Sequence, residues 1–200
     1  MTEIFTREHL PRTSPRDILL RGIAPQESGG EEDPWIRTKV RDAPGGSTAY
    51  GPLQITGSTL DDLENEHLKA KGQSELSAKE KSLINKLKRQ SKLFAKHGNE
   101  QDQEWFDPRY DYGGSGDPLT PEEKETYWNL GDRLFKLKAS YKGYDPNRLD
   151  DLQLAEVIGD WYGRDKEYTD EYITNVLGHL KRHIGGMVQR NPYPYNPRPI

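Results

Sequence analysis

The stretch Ile18-Leu19-Leu20-Arg21-Gly22-Ile23-Ala24-Pro25-Gln26-Glu27-Ser28-Gly29-Gly30 decides how this chain is read. Ile18, Leu19, Leu20 and Ile23 recur at the spacing of a buried helix face, and Ser14 or Asp17 is a suitable residue to start such a helix. Pro25 is expected to kink or constrain it, because proline lacks an N–H and its ring crowds the carbonyl four residues back. The paired glycines mark the helix end. The element therefore delivers one carboxylate, Glu27, to the junction of an apolar helix and a polar loop. Taken alone, a glutamate before Gly-Gly is usually only a solvated helix terminus.

Outward from this helix the elements follow from local signals. Residues 29–48 read as a loop with Pro34, Pro44, Gly45 and Gly46. The compact segment Ala49-Tyr50-Gly51-Pro52-Leu53-Gln54-Ile55-Thr56 comes next, then a helix start near Ser58 or Thr59 with Asp61 and Asp62 in its first turn. Residues 60–98 read as two helices broken near Gly72, the second introduced by Ser77 and Glu80 in capping-box spacing. Residues 98–120 form a loop holding Trp105, Phe106, Tyr110 and Tyr112, which serve either as a sugar-stacking lip or to pin the loop. Thr120-Pro121-Glu122-Glu123 starts a helix carrying Tyr127, Leu130, Leu134, Phe135 and Leu137. After the turn Asp145-Pro146-Asn147, Leu149–Tyr162 is helical. Thr169 or Asp170 caps a last helix through Tyr172, Ile173, Val176, Leu177 and Leu180. Residues 185–200 read as an extended proline-rich tail. The fold class is mostly α, with a small hairpin in 31–55, in a single domain over 1–200.

Composition bounds the chemistry. The 200 residues suit one domain with one modest core, since hydrophobic residues are 32% and charged residues 31%. The net charge of −4 lacks the basic excess of a nucleic-acid binder, so no nucleic-acid partner is expected. Cysteine is absent, which excludes disulfides, zinc–thiolate sites and cysteine nucleophiles. Met1 to Leu10 lack the apolar run of a signal peptide, and no stretch has the apolar length of a membrane span.

A carboxyl at the lip of an apolar cleft tends to hold its proton, because burial penalises the charged form. A glycosidase needs that property in its acid. The second segment strengthens this reading. Ile23-Ala24-Pro25-Gln26-Glu27-Ser28-Gly29-Gly30, then Ala49-Tyr50-Gly51-Pro52-Leu53-Gln54-Ile55-Thr56 and Thr59, resemble the lysozyme-like superfamily, specifically the soluble lytic transglycosylases and goose-type lysozymes. That family shows a catalytic Glu followed by Ser at a helix end, then a Gly-Leu-Met-Gln-Ile type segment and a threonine. Pro52 and Leu53 stand here in place of Leu-Met. A fainter likeness joins Asp160-Trp161-Tyr162-Gly163 and the helix bearing Tyr172 to the family's Tyr-Asn-Ala-Gly segment and following tyrosine, although the Asn and Ala are absent. The clear part of the resemblance covers residues 17–60, and the fainter part adds 145–183. Residues 61–140 would be a charged helical insertion.

The resemblance implies a lysozyme-like fold and cleavage of the bond between N-acetylmuramic acid and N-acetylglucosamine in peptidoglycan. Glu27 would protonate the glycosidic oxygen. Its conjugate base would then take the proton of the muramyl C6 hydroxyl as a 1,6-anhydro ring closes. The substrate supplies the nucleophile, so no second carboxylate, metal or cofactor is called for. Ser28 would hold Glu27 or the sugar, Tyr50, Gly51, Gln54 and Thr56 would line the cleft, and Tyr162 and Tyr172 would orient Glu27 or stack on sugar. A hydrolytic lysozyme needs a second carboxylate. Asp42 is the candidate, ahead of Glu31, Glu32 and Asp33, while Thr56 stands where goose-type enzymes carry a further Asp. A third reading is a wall-binding or virion structural module that keeps the fold without activity. The expected setting is a phage lysin, monomeric, made in the host cytoplasm and delivered to the wall by a holin, a virion or a secretion apparatus.

Two further features favour blander readings. His179 and His183 have metal-ligand spacing on a helix but lack a third ligand in pattern, so they read as surface histidines. Lys86, Lys88, Arg89, Lys92 and Lys96 read as the solvated face of an amphipathic helix rather than an anion-binding patch.

Overall fold

In the computed structural model, which describes residues 14–29, 34–35, 37–39, 48–97, 118–162 and 166–185, the first helix begins where the Ser14 hydroxyl accepts the Asp17 N–H at 3.1 Å and Pro15 takes the first helical position. Pro15–Ile18, Leu19–Ile23 and Ala24–Glu27 follow one another without a break and together form α1. The middle segment is a π turn, in which the Ala24 N–H reaches the Leu19 carbonyl five residues back. This turn is how the chain accommodates Pro25. Widening the helix just ahead of the ring relieves its clash with the carbonyl four residues back, so the helix continues one more turn to Glu27 instead of breaking. Gly29, at φ 63°, then ends it in the left-handed conformation.

Three short strands follow: β1 (Arg37–Lys39), β2 (Thr48–Tyr50) and β3 (Ile55–Thr56). They form one antiparallel sheet in sequence order, with Arg37 opposite Tyr50 and Tyr50 opposite Ile55. The hairpin expected in 31–55 is thus a three-stranded sheet reaching Thr56. The next helix, α2 (Gly57–Glu66), starts earlier than Ser58 or Thr59 because Thr56 is its cap, accepting the Thr59 N–H at 3.3 Å. A 3-10 turn (His67–Lys69) and the left-handed Gly72 make the break before α3 (Ala78–His97). Ser77 and Glu80 form the reciprocal cap read from the sequence, at 2.7 and 3.3 Å.

Thr120 and Glu123 cap α4 (Pro121–Tyr141) in the same way. Helix α5 (Asp151–Tyr162) begins two residues beyond Leu149, because the Asp150 carboxylate accepts the Gln153 N–H at 2.8 Å. The last helix, α6 (Lys166–Gly185), begins ahead of Thr169 and Asp170. Its first turns lie on α5 so closely that a Cβ at Gly159 would stand 3.1 Å from Thr169 Cγ2. Tertiary contact carries the helix past the local cap signal.

The six helices among the described residues share one core. Ile18, Leu19 and Ile23 of α1 join Leu53 and Ile55 of the sheet, Leu63 of α2, Leu83, Ile84 and Leu87 of α3, Leu130, Leu134, Phe135 and Leu137 of α4, Val157 and Ile158 of α5, and Val176 and Leu180 of α6. The described residues of 61–140, the stretch expected as an inserted lobe, supply side chains to this common core, and α4 lies against α1 within it. Arg133 ties the loop before α3 to α4, reaching the Glu80 carboxylate at 2.5 Å, Gln73 Oε1 at 3.1 Å and the Ser74 carbonyl at 2.7 Å. Burial alone would raise the Glu80 carboxyl, but hydrogen bonds from Ser77 and the Arg133 guanidinium outweigh it and hold the group below its ordinary value. Among the described residues no helix is long and apolar enough to cross a membrane.

Candidate active site

Glu27 is the last residue of α1 and is half-buried. Facing it is Tyr172 of α6, which is 5% exposed and donates its phenol hydrogen to Glu27 Oε1 at 2.6 Å. The close approach of α6 to α1 that makes this bond possible is set by Gly22. A Cβ there would meet Leu180 Cγ at 2.9 Å and Val176 Cγ1 at 3.0 Å. Burial first, then the Glu27 charge and the hydrogen bond itself, push the Tyr172 phenol far above its usual range. It is therefore a proton-bearing donor at any working pH. Tyr162, the last residue of α5, stacks on Tyr172 with ring centroids 4.3 Å apart and planes 16° apart. Tyr172 thus meets the carboxylate at the end of α1, with the Tyr162 ring of α5 stacked on it.

The sheet approaches from another direction. Gly51–Gln54 is the turn joining β2 to β3, and the Gly51 carbonyl accepts both the Gln54 backbone N–H and its Nε2, each at 2.9 Å. Gln54 has φ 46°, a left-handed conformation uncommon for a residue with a side chain. The turn is fastened by Tyr127 of α4, whose hydroxyl donates to the Tyr50 carbonyl at 2.6 Å and accepts the Leu53 N–H at 3.2 Å. Burial pushes the Tyr127 phenol well above its ordinary value, and the Glu27 charge adds to the shift. Sequence reading placed Tyr127 only on the apolar face of a helix. The available signal was its hydroxyl, since a tyrosine buried at such a position needs a hydrogen-bond partner.

The other expected site residues are divided. Ser28 stands next to Glu27, but its hydroxyl donates to the Ala24 carbonyl at 2.7 Å and so completes the helix end. Thr56 uses its hydroxyl to cap α2, in contact with the Ser58 and Thr59 hydroxyls. The Tyr50 ring is buried against Tyr127 and Trp35, leaving its carbonyl to serve the turn. Asp42, together with Glu31, Glu32 and Asp33, lies outside the described residues, as do Trp105, Phe106, Tyr110 and Tyr112. Lys86 pairs with Glu123, and Lys88 pairs with Asp61 and Glu64. The Arg182 guanidinium sits 3.0 Å from His179 Nδ1, and burial, then Arg182 and His183, hold that histidine below its usual value. No group of three metal-ligating side chains occurs among the described residues.

Chemically, the site offers one half-buried carboxylate locked by a phenol donor and a strained turn fastened close by. Such a carboxyl can give a proton to a leaving oxygen and take one back from a hydroxyl. The chain matches no known protein family, no curated protein and no solved structure.

Proposed function

We propose that the protein cleaves the glycan strands of bacterial peptidoglycan as a lytic transglycosylase, with Glu27 as both acid and base. The observation that carries this reading is the 2.6 Å bond from Tyr172 to Glu27, which joins residues 145 positions apart. The resemblance gives Tyr162 and Tyr172, far from Glu27 in sequence, the part of orienting Glu27 or stacking on sugar. In the proposed reaction Glu27 protonates the glycosidic oxygen between N-acetylmuramic acid and N-acetylglucosamine, and the C1–O bond breaks. The Glu27 carboxylate then accepts the C6 hydroxyl proton while that oxygen bonds to C1 to close the 1,6-anhydro ring. The proton returns to Glu27 and no water is consumed.

Mass spectrometry of the muropeptides released from purified peptidoglycan tests the reaction. Products ending in 1,6-anhydromuramic acid are expected. Reducing muramic acid ends would instead mean a hydrolytic lysozyme, and Asp42 would be the first carboxylate to replace. Binding of strands with no released product would leave a wall-binding module.

The tyrosine makes a second, separable prediction. A hydrogen bond from Tyr172 favours the ionised form of the carboxylate it touches. Activity that requires a protonated Glu27 falls as pH rises and that proton is lost. Removing the donor in Tyr172→Phe makes the proton harder to lose, so the alkaline limb of the pH–rate profile should move to higher pH. The phenol itself does not titrate in this range, because its own proton is held by burial and by Glu27. An alkaline limb left in place in Tyr172→Phe would show that the bond does not tune the acid.

A further inference from the structure

Two residues of α4 grip the turn between β2 and β3, and the proposed reaction gives neither of them a part. In a β-turn the carbonyl of the first residue and the N–H of the fourth often bond each other. Tyr50 and Leu53 stand in that relation, but the Tyr127 hydroxyl sits between them. It donates to the Tyr50 carbonyl at 2.6 Å and accepts the Leu53 N–H at 3.2 Å. The turn is thereby held wider than a direct bond would leave it. All three residues are at most 2% exposed, so water does not compete for these bonds.

One helical turn further along α4, Gly131 lies on the same face as Tyr127. A Cβ there would stand 2.5 Å from Leu53 Cδ1, closer than such atoms approach, so the missing side chain is what lets Leu53 seat against the helix. The hydroxyl thus fixes the backbone of the turn, and the hollow at Gly131 fixes its Leu53 side chain. A third tie holds the other end of β2, where the Thr48 hydroxyl donates to the Ser91 hydroxyl of α3 at 2.8 Å between two buried residues. That tie acts on the strand. The α4 seat acts on the turn itself, whose last residue, Gln54, is carried at φ 46°.

We propose that Tyr127 is a positioning residue for substrate binding, which together with the hollow at Gly131 aims the Gly51–Gln54 turn at the glycan strand. This rests on the reading of the protein as a glycan-strand cleaving enzyme whose cleft that turn lines. Tyr127 is fully buried and acts through the turn. Its loss in Tyr127→Phe leaves two buried backbone groups unpaired, which is costly. The Leu53 N–H then closes directly onto the Tyr50 carbonyl, the turn narrows, and Gln54 moves with it. Glu27 and its bond to Tyr172 belong to α1 and α6, so the acid keeps its own partner.

The test measures kcat and KM on soluble glycan strands for the full chain and three variants, with rates expressed per folded molecule. In Tyr127→Phe, KM should rise about tenfold, the size of one lost binding hydrogen bond. The maximum rate and the alkaline limb of the pH–rate profile should stay in place, as when binding common to substrate and transition state is removed. Gly131→Ala, which presses on Leu53 and leaves the hydroxyl intact, should raise KM in the same way, and it decides the matter where Tyr127→Phe does not fold. Ser91→Ala removes the tie on the strand and should lower the melting temperature without moving KM. An unchanged KM in either folded α4 variant, with the unaltered protein cleaving normally, overturns the positioning role and leaves the proposed function standing. A fall in kcat at constant KM, or an equal rise of KM in Ser91→Ala, also overturns it. Absence of cleavage by the unaltered protein overturns both readings together.

Discussion

Replacing Glu27 by glutamine is expected to lower the rate of wall lysis by about 10²- to 10⁴-fold, the range associated with loss of a general acid–base group. The substitution keeps the shape of the side chain. Its amide oxygen can still accept the Tyr172 hydroxyl hydrogen, now at 2.6 Å from Oε1, so the anchoring of α1 to α6 need not change. What disappears is the exchangeable proton. Clearing of a wall suspension and the yield of 1,6-anhydro products should fall together, while thermal stability and binding of glycan strands stay close to those of the unaltered protein. Lysis at the original rate in Glu27→Gln would remove Glu27 from the reaction. Tyr172→Phe provides the contrast, because it leaves the proton in place and should alter the pH dependence more than the maximum rate.

Local chemistry explains which parts of this fold were legible in the sequence. Ser14, Ser77 and Thr120 each bond to an N–H three residues on, so the starts of α1, α3 and α4 are written in short stretches of chain. Gly72 likewise marks its break through its own φ of 77°. The π turn in α1 was not legible, because a proline within a helix signals strain but not how the strain is relieved. The helix bearing Tyr172 runs ahead of Thr169, where its first turns pack on α5 at Gly159, a long-range contact that no local signal records. The same division runs through the site. Glu27 is recognisable from its place at a helix end before glycine. Its bond to Tyr172 depends on two helices meeting over Gly22, and the packing of Trp35 on Tyr127 joins residues 92 positions apart.

Gly51→Ala is expected to have the largest effect on stability among single-atom additions near the site, about 2–4 kcal/mol. Two separate costs combine there. Gly51 has φ +71°, which a residue with a Cβ adopts at a cost of about 1 kcal/mol or slightly more. The added Cβ would also stand 2.9 Å from both Cζ and the hydroxyl oxygen of Tyr127. That oxygen cannot retreat freely, since it bonds the Tyr50 carbonyl at 2.6 Å and the Leu53 N–H at 3.2 Å. Overpacking at a fixed neighbour costs about 1–3 kcal/mol. For a chain of this size the sum corresponds to a fall in melting temperature of roughly 5–15 °C, readable by calorimetry. If the turn instead shifts to make room, stability changes little, and the Tyr127 anchor is looser than its hydrogen bonds imply. Activity discriminates further. The Gly51–Gln54 turn is expected to line the proposed cleft, so the residual folded Gly51→Ala protein should cleave strands more slowly than its folded fraction alone predicts. A rate that tracks the folded fraction would confine the Gly51–Gln54 turn to a structural part.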